Sequence, residues 1–106
     1  MKIIWSDFAS KTLFDIFTYY KIRAGKSVAL KIKNNVFLAT KQLLNHPDSG
    51  QLEPSLLQLN ENHRYIVSGH FKIIYKLVKE EILITDIFDT RQDPIKINNP
   101  KRKLDK

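Results

Sequence analysis

Between Arg64 and Pro94 the chain reads RYIVSGHFKIIYKLVKEEILITDIFDTRQDP, and no other stretch restricts the fold as much. Ser68-Gly69-His70 and Lys79-Glu80-Glu81 divide it into three consecutive strands. In Phe71 to Val78, Phe71, Ile73, Tyr75 and Leu77 alternate with Lys72, Ile74 and Lys76. Successive strand side chains point to opposite faces, so the first set makes a wholly apolar or aromatic face that must be covered. The second set makes a half-charged face, expected to stay open to a partner. Ile82 to Phe88 is more continuously apolar, as in a central strand covered on both sides.

What covers the apolar face comes earlier in the chain. Lys2 to Trp5 reads as a short first strand. Ser6 or Asp7 can then cap a helix, because their side-chain oxygens accept from free amide N–H groups. Ala9, Leu13, Ile16 and Tyr20 recur at helical spacing, with Phe17 widening the stripe. Gly25 stops this helix and Ser27 is expected to cap the next. Ala29, Ile32, Val36 and Leu43 mark one face of the second helix, which ends at His46-Pro47 because proline disfavours helix in the residue before it. So short a break predicts an antiparallel helix hairpin. Pro47 to Asn62 reads as irregular, with Leu56, Leu57 and Leu59 tacking it to the core. The order is β-α-α-β-β-β, an α+β fold in which the hairpin packs on a small, mostly antiparallel sheet. A chain of 106 residues supports one domain. It is expected over residues 1–94, followed by a mobile basic tail at 95–106.

The chain has 18 Lys+Arg against 11 Asp+Glu, a net charge of +7. That balance favours an anionic partner: RNA, DNA or an acidic protein segment. Without cysteine there is no disulfide framework, Cys-ligated zinc or thiol nucleophile. Three scattered histidines do not predict a metal site, and no glycine-rich phosphate loop is present; no cofactor is expected. The first residues turn polar too soon for a signal peptide, and no apolar run approaches the ~20 residues that span a bilayer. A cytoplasmic protein without membrane partners is expected.

Arg64, His70, Lys72 and Arg91 all lie on or beside the strands. Cations fixed on a rigid sheet suit an anion, arginine as a fork and lysine as a point charge. The structural alternative for Arg91 is a pair with Asp89 or Asp93. Whether Arg64 joins Lys72 depends on the Gly69 turn. A two-residue loop puts Arg64 on the Phe71 and Tyr75 face, away from Lys72, and a three-residue loop reverses this. His63 and His70 are the candidate proton shuttles, against a reading as turn and strand-edge histidines. Tyr75 reads as a core aromatic.

The chain resembles the RelE/ParE toxin superfamily of type II toxin–antitoxin systems. His46-Pro47-Asp48-Ser49-Gly50 is similar to its helix-ending His-Pro-x-x-Gly element. Arg64-Tyr65-Ile66-Val67 with Gly69-His70-Phe71-Lys72-Ile73-Ile74-Tyr75 is similar to its central hairpin. Ile87-Phe88-Asp89-Thr90-Arg91-Gln92-Asp93-Pro94 is similar to the closing strand of the ParE-type branch. The resemblance implies a cognate antitoxin, acidic and encoded by an adjacent gene. It also implies one of two activities, inhibition of DNA gyrase or cleavage of mRNA on the ribosome. Cleavage would use Arg64, Lys72 and Arg91 as catalytic cations, with His70 as a possible shuttle. The nuclease branch carries a tyrosine after its last-strand arginine, and nothing after Arg91 is Tyr or His. That departure favours a gyrase-binding toxin over an RNase. A small basic interaction module without toxicity is the third expectation.

Overall fold

The computed structural model describes residues 1–92 and 96–97. β1 (Lys2–Trp5) leads into α1 (Asp7–Ala24) and α2 (Lys26–Gln42), followed by β2 (Gln51–Leu52), a 3₁₀ segment (Pro54–Leu59), β3 (Arg64–Ser68), β4 (Phe71–Val78) and β5 (Glu81–Asp89). The five strands lie in the order β1-β5-β4-β3-β2. β1 is parallel to β5 and every other pair is antiparallel. The expected α+β architecture is thus present, with β2 as an extra rung on a segment read as irregular.

Ser6 makes the first junction. Its backbone N–H donates to the Ile84 carbonyl at 2.9 Å, continuing the β1 ladder, while its Oγ accepts from the Ala9 N–H at 3.0 Å and caps α1. One residue, Gly25, separates the helices. Its φ of 98° and ψ of 161° lie in a region that is essentially glycine's alone. Its N–H closes α1 on Lys21 and its carbonyl opens α2 on Ala29. Ser27 therefore lies inside the second helix, two residues too late to be the cap expected of it. The glycine does that work with its backbone.

The hairpin covers one sheet face. Ala9, Leu13, Val36 and Leu43 pack there on Phe71, Ile73, Tyr75, Ile82, Ile84 and Ile87. Ile84 and Ile87 are an odd number of residues apart yet share this face. A bulge explains it: Ile74 opposes Asp86 and Tyr75 opposes Ile84, which leaves Thr85 as the extra residue. The phase of β5 flips at Thr85, so Ile87 and then Asp89 turn toward α1.

The other face is not open, contrary to the expectation from its charges. Leu56 of the 3₁₀ segment, Ile74, Phe88 and Ile97 form a second buried cluster, with Tyr65 against it. Ile97 lies in the stretch read as tail, and it is fully buried. Lys72 and Lys76 do not offer free charge on this face. Lys72 donates to Glu53 at 2.8 Å and Lys76 donates to Glu61. The period-two pattern registered the lysines but not the carboxylates that the loop before β3 brings to them. Of the three leucines expected to fix that loop, Leu56 is buried, and Leu57 and Leu59 are exposed.

The His46–Gly50 element closes around one hydroxyl. Tyr75 Oη donates to the Pro47 carbonyl at 2.8 Å and accepts from the Gly50 N–H at 3.0 Å. A Cβ on Gly50 would come within 2.5 Å of that oxygen, so the position admits no side chain. Tyr75 is the core aromatic expected of it and also the anchor of the helix-ending loop.

Candidate functional site

Thr12, Asp15, Ile16, Tyr19 and Tyr20 recur every three to four residues along α1, which aligns them on one stripe. The stripe faces the start of β4 at Phe71, the end of β5 at Ile87 and Asp89, and the turn residues Arg91 and Gln92. Together they enclose a cleft of about 290 Å³.

The turn after β5 fixes Arg91. The Asp89 carboxylate accepts from the Arg91 backbone N–H at 2.9 Å, from Nε at 3.0 Å and from Nη2 at 2.7 Å. Nη2 also donates to Tyr20 Oη at 2.8 Å, and Tyr20 Oη lies 3.1 Å from His70 Nε2. Thr90 ties the other end of this network, donating through N–H and Oγ1 to the His70 carbonyl at 2.8 and 2.7 Å. Hydrogen bonds from Arg91 hold the Asp89 carboxyl below its usual range. Asp89 first and Tyr20 second push the guanidinium higher still. The Arg91 side chain remains 61% exposed, so it is tethered without being buried.

The cations singled out by the sequence are not gathered in one place. Ser68 pairs with Phe71 and Arg64 with Tyr75, so the turn holds two residues, Gly69 and His70. Arg64 accordingly shares the Tyr75 face, where its Nη1 donates to the Gly50 carbonyl at 2.7 Å. Lys72 points to the opposite face, over the Tyr65 ring at 4.3 Å and paired with Glu53, whose side chain is 1% exposed. Arg91 and His70 do meet, through Tyr20. His63 is buried and precedes β3, at the opposite end of that strand from His70.

Sequence reasoning missed Tyr20 as a polar participant, since it continued the apolar stripe of α1. It missed Glu53 because a lone carboxylate between Leu52 and Pro54 carries no pattern. The surplus polarity at the end of that stripe, Tyr19-Tyr20, was the available signal for the first. Among the described residues, no three His, Cys, Asp or Glu side chains gather where they could hold a metal ion.

The chain thus sets a five-stranded sheet under a helix hairpin with a single-residue junction, and the arginine that follows the last strand is tied back to α1. A family model described as the ParE toxin of the type II toxin–antitoxin system, parDE, matches residues 3–94. The chain belongs to this ParE toxin family. Among solved structures it is similar to a chromosomal ParDE toxin–antitoxin system from P. aeruginosa. The TM-score is 0.71 at 23% identity, covering 84% of this chain and 95% of that one, which is a likeness of fold. No curated protein matches. No helix among the described residues is long and apolar enough to cross a membrane.

Proposed function

We propose that this ParE-family toxin arrests growth by binding DNA gyrase and is neutralised in the cytoplasm by a cognate acidic antitoxin. The separation of the cations carries the choice between the two activities of the superfamily. RNA cleavage by Arg64, Lys72 and Arg91 together needs them around one phosphate. The register puts Arg64 and Lys72 on opposite faces, and Lys72 is held by a buried carboxylate. Arg91, exposed at the rim of the cleft, is the member of the set best placed to touch a macromolecular target.

The exterior of the helix hairpin supports the antitoxin half of the proposal. α2 carries Lys26, Lys31, Lys33 and Lys41 and no acidic residue. Phe14 and Ile22 of α1 and Leu38 of α2 are 67%, 78% and 59% exposed. Large apolar side chains set among lysines fit an acidic amphipathic segment laid on the hairpin. The test of the target is direct. Purified toxin in molar excess should block supercoiling by gyrase, and antitoxin should restore it. Undiminished supercoiling at high excess would remove gyrase from the account, and codon-positioned cuts in translated mRNA would put the nuclease in its place.

A further inference from the structure

The cleft beside α1 carries an inference that rests on the toxin–antitoxin reading but concerns a different surface from the hairpin exterior. Its charges are already matched. Arg91 commits Nε and Nη2 to Asp89. Lys11, one turn before the cleft, pairs with Asp15 at 3.0 Å, and the Arg23 guanidinium lies over the Tyr19 ring at 4.9 Å. An entering phosphate would meet two carboxylates and three cations already engaged, Arg91 and Lys11 by those carboxylates and Arg23 by the Tyr19 ring. An entering ammonium or guanidinium would meet two carboxylates already paired and three cations close by. Neither sign of charge is favoured.

What remains is carbon and ring surface. Ile16, Phe71 and Ile87 make the apolar part of the lining. Tyr19 meets Tyr20 edge to face at 5.2 Å and 78°, and Tyr20 meets Phe71 edge to face at 6.3 Å and 84°. His70 continues the series beside Phe71 at 4.3 Å. Aromatic pairs of this geometry are favourable beyond the area they bury, and a ladder of rings can be extended by one more. A volume of about 290 Å³ admits a single large ring. Buried aromatic side chains are the usual anchors of protein interfaces.

We propose that the cleft is an anchor pocket for one uncharged aromatic side chain, and that the antitoxin supplies it. Exposed Ile22 follows Tyr19 by three residues and Asp15 by seven on α1, so it borders the cleft on the same flank of the helix, and a segment lying on the hairpin over Ile22 reaches the cleft directly. Methyl-resolved NMR titration of the toxin decides, with N-acetyl-tryptophanamide, N-acetyl-argininamide and inorganic phosphate as probes. The first should shift the Ile16 and Ile87 methyl resonances saturably, and the other two should not. Tyr19→Ala, at a half-exposed position that tolerates truncation, should weaken the tryptophan probe by about threefold or more. Thr12→Trp should abolish its binding by filling the space. In the toxin–antitoxin complex the probe should no longer bind. Equal binding of phosphate or argininamide, no shift with the tryptophan probe, or undiminished binding to the complex would each overturn the proposal. A toxin that binds the probe yet arrests no growth would keep the pocket and lose the proposed function instead, so the two failures are distinct.

Discussion

At the scale of single residues, the clearest lesson is what became of Lys72. The sequence offers it as a phosphate holder, and the structure makes it the counter-ion of buried Glu53. Glu53 also accepts from the Ser55 N–H at 2.9 Å, so the carboxylate opens the 3₁₀ segment as well. Lys72→Ala would leave that charge buried and unmatched, and should cost about 3 kcal/mol of stability in urea unfolding. Replacing Lys72 and Glu53 together by apolar residues should cost much less. A catalytic lysine would show the opposite pattern, with lost activity at unchanged stability. Tyr75 permits a second test. Burial pushes its hydroxyl above the ordinary value of 10.0, against smaller lowering effects from Gly50 and Arg64. The unfolded chain therefore loses this proton first as pH rises. Stability should be intact below about pH 10 and fall above it until the folded hydroxyl itself ionises. Tyr75→Phe should remove that alkaline loss. It should also cost about 1–2 kcal/mol at neutral pH, by stranding the Gly50 N–H and the Pro47 carbonyl. Neither role was legible beforehand, because each depends on a loop partner distant in sequence.

Among the elements, the helices and the meander were legible because their information is local. Ser6, Gly25 and Pro47 punctuate the hairpin, and alternation fixes the faces of β4. Two elements escaped. β2 is a two-residue strand that exists only because β3 offers an edge to Gln51 and Leu52. The cover on the second sheet face comes from a loop without periodicity and from Ile97, so no repeat announces it. The parity argument for the Gly69 turn could be stated from the sequence but not closed, since the loop length had to be seen. It closes on two residues, and this removes the cationic cluster. The hairpin junction makes its own prediction. A Cβ on Gly25 meets nothing within 4 Å, so Gly25→Ala tests backbone strain free of steric contact. It should destabilise the protein by about 1–3 kcal/mol in thermal or chemical unfolding.

For the whole molecule, the excess of positive charge matters most in association. With +7 net and an acid-free α2, capture of an acidic antitoxin should be accelerated by electrostatic attraction. Stopped-flow association should therefore slow by about tenfold or more between low and roughly 0.5 M salt, with dissociation changing far less. A rate indifferent to salt would mean that the hairpin lysines face away from the partner. The candidate site was half legible at this scale: Arg91 and His70 could be named, but not the tyrosine from α1 that joins them. The extra residue at Thr85 has a practical corollary for comparing distant relatives. A toxin of this fold with one residue fewer in its last strand would send its closing aspartate and arginine to the opposite layer, even though the letters still line up. Matching such chains by motif spacing would then equate side chains that never occupy the same place, and kinship in activity inferred from that arginine would be illusory.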